Sequence, residues 1–187
     1  MPVVEVHLIR GYDEDEKTRL GKALTGAVTS VVPAAPDGIT VLIHEVEPSG
    51  YMRGGQGRSP APALPDPVRV VMDFLAAMEV RDLDTARGLV ADGFTMTFPG
   101  GAQFTVLEDL VAWSAPRYRR VTKTFEGMDV APAADGTTVI ARGTLAGEWP
   151  DGTPFDSIRF VDRFMLRQGR IATQEVWNDM AEVRSNG

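Results

Sequence analysis

The residues best able to do chemistry lie near opposite ends of the chain. Pro2 opens the stretch PVVEVHLIRG, residues 2–11. Removal of Met1, which a small second residue permits, leaves a secondary amine as the first atom of the chain. An unperturbed α-amino group titrates near ~8, and desolvation against an apolar neighbour such as Leu8 disfavours its charged form. A free Pro2 would then be a neutral base near physiological pH, with a ring that fixes its direction. The plainer alternative is a proline that only starts a strand. The second candidate is Asp162, which shares a strand face with Ile158, Phe160 and Phe164. It is expected in an apolar cavity, where burial favours the protonated form of a carboxylate and suits it to proton transfer. The alternative is an aspartate paired across a sheet with Arg159 or Arg142. Trp113, Trp149 and Trp177 could wall a ligand pocket or simply fill a core.

What the chain lacks narrows the rest. There is no cysteine among the 187 residues, so no disulfide framework, thiol nucleophile or zinc–thiolate site is expected. Two histidines make a histidine-rich metal site unexpected, and no cofactor is called for. The net charge of −7 argues against a nucleic-acid partner, which needs clustered Lys and Arg. No apolar run is long enough for a signal peptide or a membrane span. At 43% hydrophobic and 24% charged, the composition suits a globular protein acting on a small molecule in the cytoplasm.

The elements that must position Pro2 come first. Val4, Val6, Leu8 and Arg10 fall on one strand face, and Val3, Glu5, His7 and Ile9 on the other. Asp13 and Glu16 form a capping box, after which Leu20, Leu24, Ala27, Val28 and Val31 recur at helical spacing until Pro33. Pro36, Asp37 and Gly38 make a turn. Residues 39–46 are β-branched and mostly apolar, as expected of a strand buried on both faces. Strand, helix and strand make a βαβ unit with parallel strands and a right-handed crossover. So small a unit leaves one sheet face open and should bury it against another copy of itself.

An N-terminal proline, a βαβ unit, an acidic helix start and the closing YMRGG (residues 51–55) resemble the 4-oxalocrotonate tautomerase family over residues 2 to about 57. The resemblance implies that the free Pro2 nitrogen moves a proton between carbon atoms of a keto–enol substrate, or adds water to an unsaturated acid. It implies that Tyr51 walls the pocket and keeps it dry. The two arginines that hold dicarboxylates in the prototype fall at Tyr12 and Thr40, which would line the substrate site without clamping it. Arg10 and Arg53 are the nearby substitutes, and either could clamp a carboxylate or polarise an enolate oxygen. Arg10 lies about 26 Å along its strand from Pro2, at about 3.3 Å per residue, so it can serve only the Pro2 of a neighbouring subunit. Without that role it is a solvated strand-end charge, as Arg53 would also be. His7 reads as structural and His44 as packed inside the oligomer.

Residues 58–66 are proline-rich and read as a semi-rigid linker between a first domain, 1–57, and a second, 67–187. All three tryptophans lie beyond it. Val68, Val71, Met72, Leu75 and Met78 give an amphipathic helix, and Leu83, Ala86, Leu89 and Val90 a short second one. Residues 94–98 alternate as a strand, and residues 106–113 read as helical until Pro116. Four long strand patterns follow at 118–130, 137–149, 154–166 and 170–180, with turns between them. Helices followed by an antiparallel meander give an α+β cone, the helices packed in a curved sheet.

That order, with the phrases VRDLD (80–84) and VDRFMLRQGRI (161–171), resembles the nuclear transport factor 2-like superfamily and, within it, the SnoaL-type cyclases and ketosteroid isomerases. The ketosteroid isomerase tyrosine aligns with Phe74 and its carboxylate base with Phe98, so that activity should be absent. The SnoaL resemblance implies that Asp162 is an acid–base residue. Trp113 is taken as a wall of the substrate pocket, and Glu175 and Asp179 as surface or interface charges.

The expected protein is an α+β homo-oligomer, a hexamer built as a trimer of dimers with the second domains outside. Its expected function is tautomerase or isomerase chemistry through Pro2, with Arg10 and Tyr51, on a substrate of secondary metabolism larger than a small dicarboxylate. The alternatives are an Asp162-dependent cyclase or isomerase whose first domain only oligomerises, and a non-catalytic small-molecule binder.

Overall fold

A computed structural model describes residues 1–185, and the chain divides into two compact units, 1–63 and 64–187. The first unit is strand β1 (Val3–Ile9), helix α1 (Glu14–Thr29) and strand β2 (Thr40–Val46), followed by a small hairpin of β3 (Met52–Arg53) and β4 (Gln56–Gly57). The capping box forms as read: Glu16 N donates to Asp13 Oδ1 at 2.8 Å, and Asp13 N to Glu16 Oε2 at 2.8 Å. Strands β1 and β2 pair in parallel from Val3 opposite Thr40 to Ile9 opposite Val46. That register puts Val4, Val6, Leu8, Val41 and Ile43 on the half-buried face. Lys17 of α1 reaches Glu45 on this face at 3.2 Å.

The other face carries Val3, Glu5, His7, Leu42 and His44, all exposed, with the two imidazoles stacked 5.0 Å apart. Strand β2 is therefore not buried on both faces within one chain. Every buried residue of the molecule lies in the second unit. A two-stranded sheet with a single helix is marginal on its own in water.

The second unit begins with helix α2 (Pro67–Glu79), where Asp66 accepts from Val68 N at 2.9 Å and Pro67 occupies the first turn. Val70, Val71, Phe74, Ala77 and Met78 form its buried stripe. Helix α3 (Leu83–Leu89) is capped by Asp82, which accepts from Thr85 N at 3.1 Å and from Thr85 Oγ1 at 2.6 Å. Those Thr85 bonds, the hydroxyl's first, hold the Asp82 carboxyl below its ordinary range.

Then come β5 (Val90–Phe98), β6 (Ala102–Phe104), α4 (Leu107–Ser114), β7 (Arg120–Ala133), β8 (Gly136–Glu148), β9 (Pro154–Arg167), β10 (Arg170–Asn178) and α5 (Met180–Ser185). The six strands order as β6-β5-β10-β9-β8-β7. All neighbours are antiparallel except β10 with β5, which run parallel. The meander expected from the sequence is therefore closed by one parallel pair. Register shifts at Phe125/Gly127 and Leu145/Gly147 are bulges, which bend strands and raise their twist. Gly143 lies between them: a Cβ there would collide with the Thr124 carbonyl of β7, so only glycine lets the strands approach. Phe74 of α2 packs edge-on against Phe94 and Phe164, at 5.9 and 6.2 Å between ring centres, and ties the helix into the bend of the sheet.

Candidate functional site

Strand β9 shows how the sequence builds a site. Ile158, Phe160, Asp162, Phe164 and Leu166 alternate inward and all are buried, so one carboxylate interrupts an apolar row. Asp162 is 0% exposed. Its neighbours across the sheet are Ala141 on β8 and Val176 on β10, neither able to hydrogen-bond through its side chain. Its ion-pair partner comes from β7. Lys123 bonds Asp162 Oδ2 directly, with Nζ also 4.4 Å from the centre of the Phe160 ring. Gln174 Nε2 stands 3.5 Å from the same oxygen. Asp162 Oδ1 has no hydrogen-bond partner among the described residues.

Neither expected arginine pairs with Asp162. Arg159 is taken by Asp179 at 2.7 Å, and Arg142 lies 3.8 Å from Asp129. Both arginines alternate outward, whereas Val121, Lys123 and Phe125 of β7 alternate inward. That VTKTF pattern was the available signal for Lys123, which the sequence reading missed.

Asp162 and Lys123 line a cavity of about 600 Å³. Leu145, Phe160 and Val176 form its buried floor, and Pro99, Gly100, Arg117, Ala181 and Arg184 its exposed mouth. Trp113 forms one wall, packed edge-on against Phe98 and Phe104 at 5.6 and 5.5 Å, and Trp149 another, 4.4 Å from Phe155. Trp177 does not join them. Gln174 and Val176 take the inward positions of β10, which leaves Trp177 54% exposed. The last strand stops at Asn178, short of the expected 180: α5 begins at Met180 and brings Met180, Ala181 and Arg184 to the cavity. Phe74 is buried in the core, while Phe98 lines the cavity. Glu175 pairs with Arg163 at 2.6 Å.

In the first unit the named residues fall at two ends of the short sheet. At one end are Pro2, whose carbonyl accepts from Thr40 N at 3.1 Å, and Thr40 itself. With Met1 attached, the Pro2 nitrogen is an amide. At the other end Arg10 is ion-paired with Glu47, and Tyr51 follows a short turn after β2. Tyr12 is half-buried at the approach to α1, and Arg53 is exposed on the β3–β4 hairpin. One copy therefore does not bring Pro2 and Arg10 together. No group of three or more metal-ligating side chains is gathered among the described residues, and no described helix is long and apolar enough to cross a membrane.

The SnoaL-like domain profile matches residues 71–174, more than half of the chain. The chain belongs to the SnoaL-like domain family. Its first unit belongs to a second family, because the tautomerase enzyme profile matches residues 2–59. The "Probable tautomerase" of Bacillus cereus is 34% identical over 56 residues, which are 30% of this chain and 92% of that protein. An NTF2-like protein of unknown function from Burkholderia pseudomallei shares the fold with a TM-score of 0.54 at 17% identity, covering 65% of this chain and 97% of that one. TerC, crystallised with polyporic acid, gives 0.54 at 15% identity over 64% and 95% of the two chains. IdmH from Streptomyces antibioticus gives 0.51 at 20% identity over 65% and 97%. This SnoaL-like protein thus joins two isomerase-type enzyme families in one chain.

Proposed function

We propose that the SnoaL-like unit carries the chemistry, as an isomerase or cyclase that moves a proton α to a carbonyl, with Asp162 as general base and then general acid. The observation that supports this is the unpartnered Asp162 Oδ1 beside the cavity, with Oδ2 held by Lys123 and Gln174. A buried oxygen without a bond is costly, about 1–3 kcal/mol, and the O–H of an enol substrate relieves it. In the step proposed, the α C–H bond breaks, its proton goes to Oδ1, and the electron pair moves into an enolate. The Lys123 ammonium, beside the same carboxylate, stands where negative charge develops. The proton then returns to a different carbon, or the enolate carbon closes a ring on a second carbonyl of the same molecule, whose π bond breaks and whose oxygen takes the proton back from Oδ1.

The test is ketonisation of phenylenolpyruvate followed by absorbance. Asp162→Asn should cost about 10²–10⁴-fold in kcat/KM, the usual contribution of a positioned acid–base group, while Pro2→Ala should leave it unchanged. The reverse outcome would move the chemistry to the first unit.

A second reading keeps Pro2 as the base. It is favoured by a tautomerase match that begins at residue 2 and by the open sheet face, which a second copy would cover while bringing its own Arg10 and Tyr51. It requires removal of Met1, so an intact mass that retains methionine in a fully active protein would end it. On this reading the assembly is a hexamer, and light scattering showing a monomer would remove Arg10 from the site.

A further inference from the structure

The cavity mouth carries two arginines that form no salt bridge among the described residues. Three cationic side chains and one carboxylate line the cavity, and the carboxylate is already matched by Lys123. Arg117 and Arg184 remain, and neither is ion-paired among the described residues. The carboxylates nearby are occupied: Glu148 by Arg119 at 2.7 Å and Asp179 by Arg159 at 2.7 Å. Asp151 accepts from Thr153 N at 2.9 Å, and Arg184 is the weakest of the influences that lower its acidity range.

Each of these guanidinium groups lies over an indole of the wall. Arg117 is 3.6 Å from the centre of Trp113 and donates Nη1 to the Trp113 carbonyl at 2.7 Å. Arg184 is 5.5 Å from Trp149. A guanidinium resting on an aromatic face keeps its N–H edge available for a planar anion. On a chain of net charge −7, two arginines without an ion-pair partner at the mouth of an apolar cleft concentrate anions there.

We propose that this cavity takes a flat, largely apolar ligand with one anionic group, the anion held at the mouth by Arg117 and Arg184 and the apolar body reaching down to Asp162. The indoles of Trp113 and Trp149 supply flat apolar walls, and Leu145 and Val176 an apolar floor. The volume falls within the about 300–1,000 Å³ of sites for drug-sized molecules. A dicarboxylate is disfavoured, because a second anion would have to approach the Asp162 end. This assignment rests on the proposed chemistry only for which end of the ligand reacts. The anion preference is a separate, measurable property.

The full-length protein would be titrated with anthracene-2-carboxylate and anthracene-2-carboxamide, following quenching of tryptophan fluorescence. The carboxylate should bind about tenfold tighter than the amide, as for a hydrogen bond to a charged group, and the gap should shrink as salt rises. Arg117→Gln with Arg184→Gln should abolish the preference while leaving amide affinity in place, and Arg117→Lys with Arg184→Lys should retain most of it. Equal affinities, no binding of either probe, or an equal loss of both in the double glutamine variant would overturn the proposal. Asp162→Asn separates the two ideas. If the anion preference persists while this variant still turns over phenylenolpyruvate at the full rate, the proton-transfer reading fails alone. If turnover is lost but the wild type shows no anion preference, the anion-binding assignment fails alone.

Discussion

The two units solve the burial problem in opposite ways. The second unit wraps a six-stranded sheet around its helices, so that Phe74, Met96, Phe164 and Ile171 are almost fully buried without help. That self-sufficiency leaves it free to keep a cavity and to place an ion pair in its wall. The first unit has two strands and one helix, with Val3 57% and Leu42 40% exposed on an open sheet face. Its residues of chemical interest are divided between the two ends of that sheet. Where a fold closes on itself, its site can be read within one chain; where it does not, the site depends on what covers the open face.

The contrast can be broken most forcefully in the core. Phe74→Ala should destabilise the second unit by about 3–5 kcal/mol by the usual cost of a large cavity, measured by denaturant unfolding. Val3→Ala, on the open face, should cost little in dilute protein and more at concentrations that favour assembly. Equal effects at all concentrations would mean that the first unit is as self-contained as the second.

The ion pair sharpens the second half of the comparison. Lys123→Met leaves a buried carboxylate unpaired and should cost about 3 kcal/mol or more, whereas Lys123→Met with Asp162→Asn should recover much of that loss. A double variant no more stable than Lys123→Met would mean that Asp162 relies on other partners. On the open face, Leu42→Asp should lower the mass seen by light scattering without lowering the melting temperature of the second unit. An unchanged mass would remove this face as the interface.

The smallest effect expected is at Asp82. Its carboxyl is held below the ordinary range in the folded state, so its contribution to stability is present above the unfolded-state value and is lost as pH falls through the folded one. Asp82→Ala should therefore melt below the wild type at neutral pH and converge with it in acid. A gap that persists in acid would assign the effect to packing rather than charge.

Much of this architecture was legible along the chain. The Asp13–Glu16 cap, the alternation that buries Asp162 beside Phe160 and Phe164, and the order of helices and strands all follow from local patterns. The misses share a cause, which is that they depend on partners distant in sequence or on segments too short to show a period. Lys123 meets Asp162 across β8, a relation that strand alternation permits but does not select. Helix α5 spans Met180–Ser185, fewer than two turns, so no helical period could develop. Trp177 was readable, since Gln174 and Val176 take the inward positions, but its bulk suggested a pocket wall. The parallel pairing of β5 with β10 has no local signature at all, because no short turn joins the two strands.

That pairing carries a kinetic consequence. Strands β7 to β10 join through successive hairpins, contacts that cost little loop-closure entropy. Thr95 of β5 must instead find Thr173 of β10, with the whole meander between them in sequence. The rim made by Phe98 and Trp113 should therefore assemble after the meander, so that the ligand chamber is the last part of the unit to become competent. A stopped-flow refolding experiment with Trp113 as the sole tryptophan should show its signal lagging the main β-sheet ellipticity change, and coincident traces would refute the order.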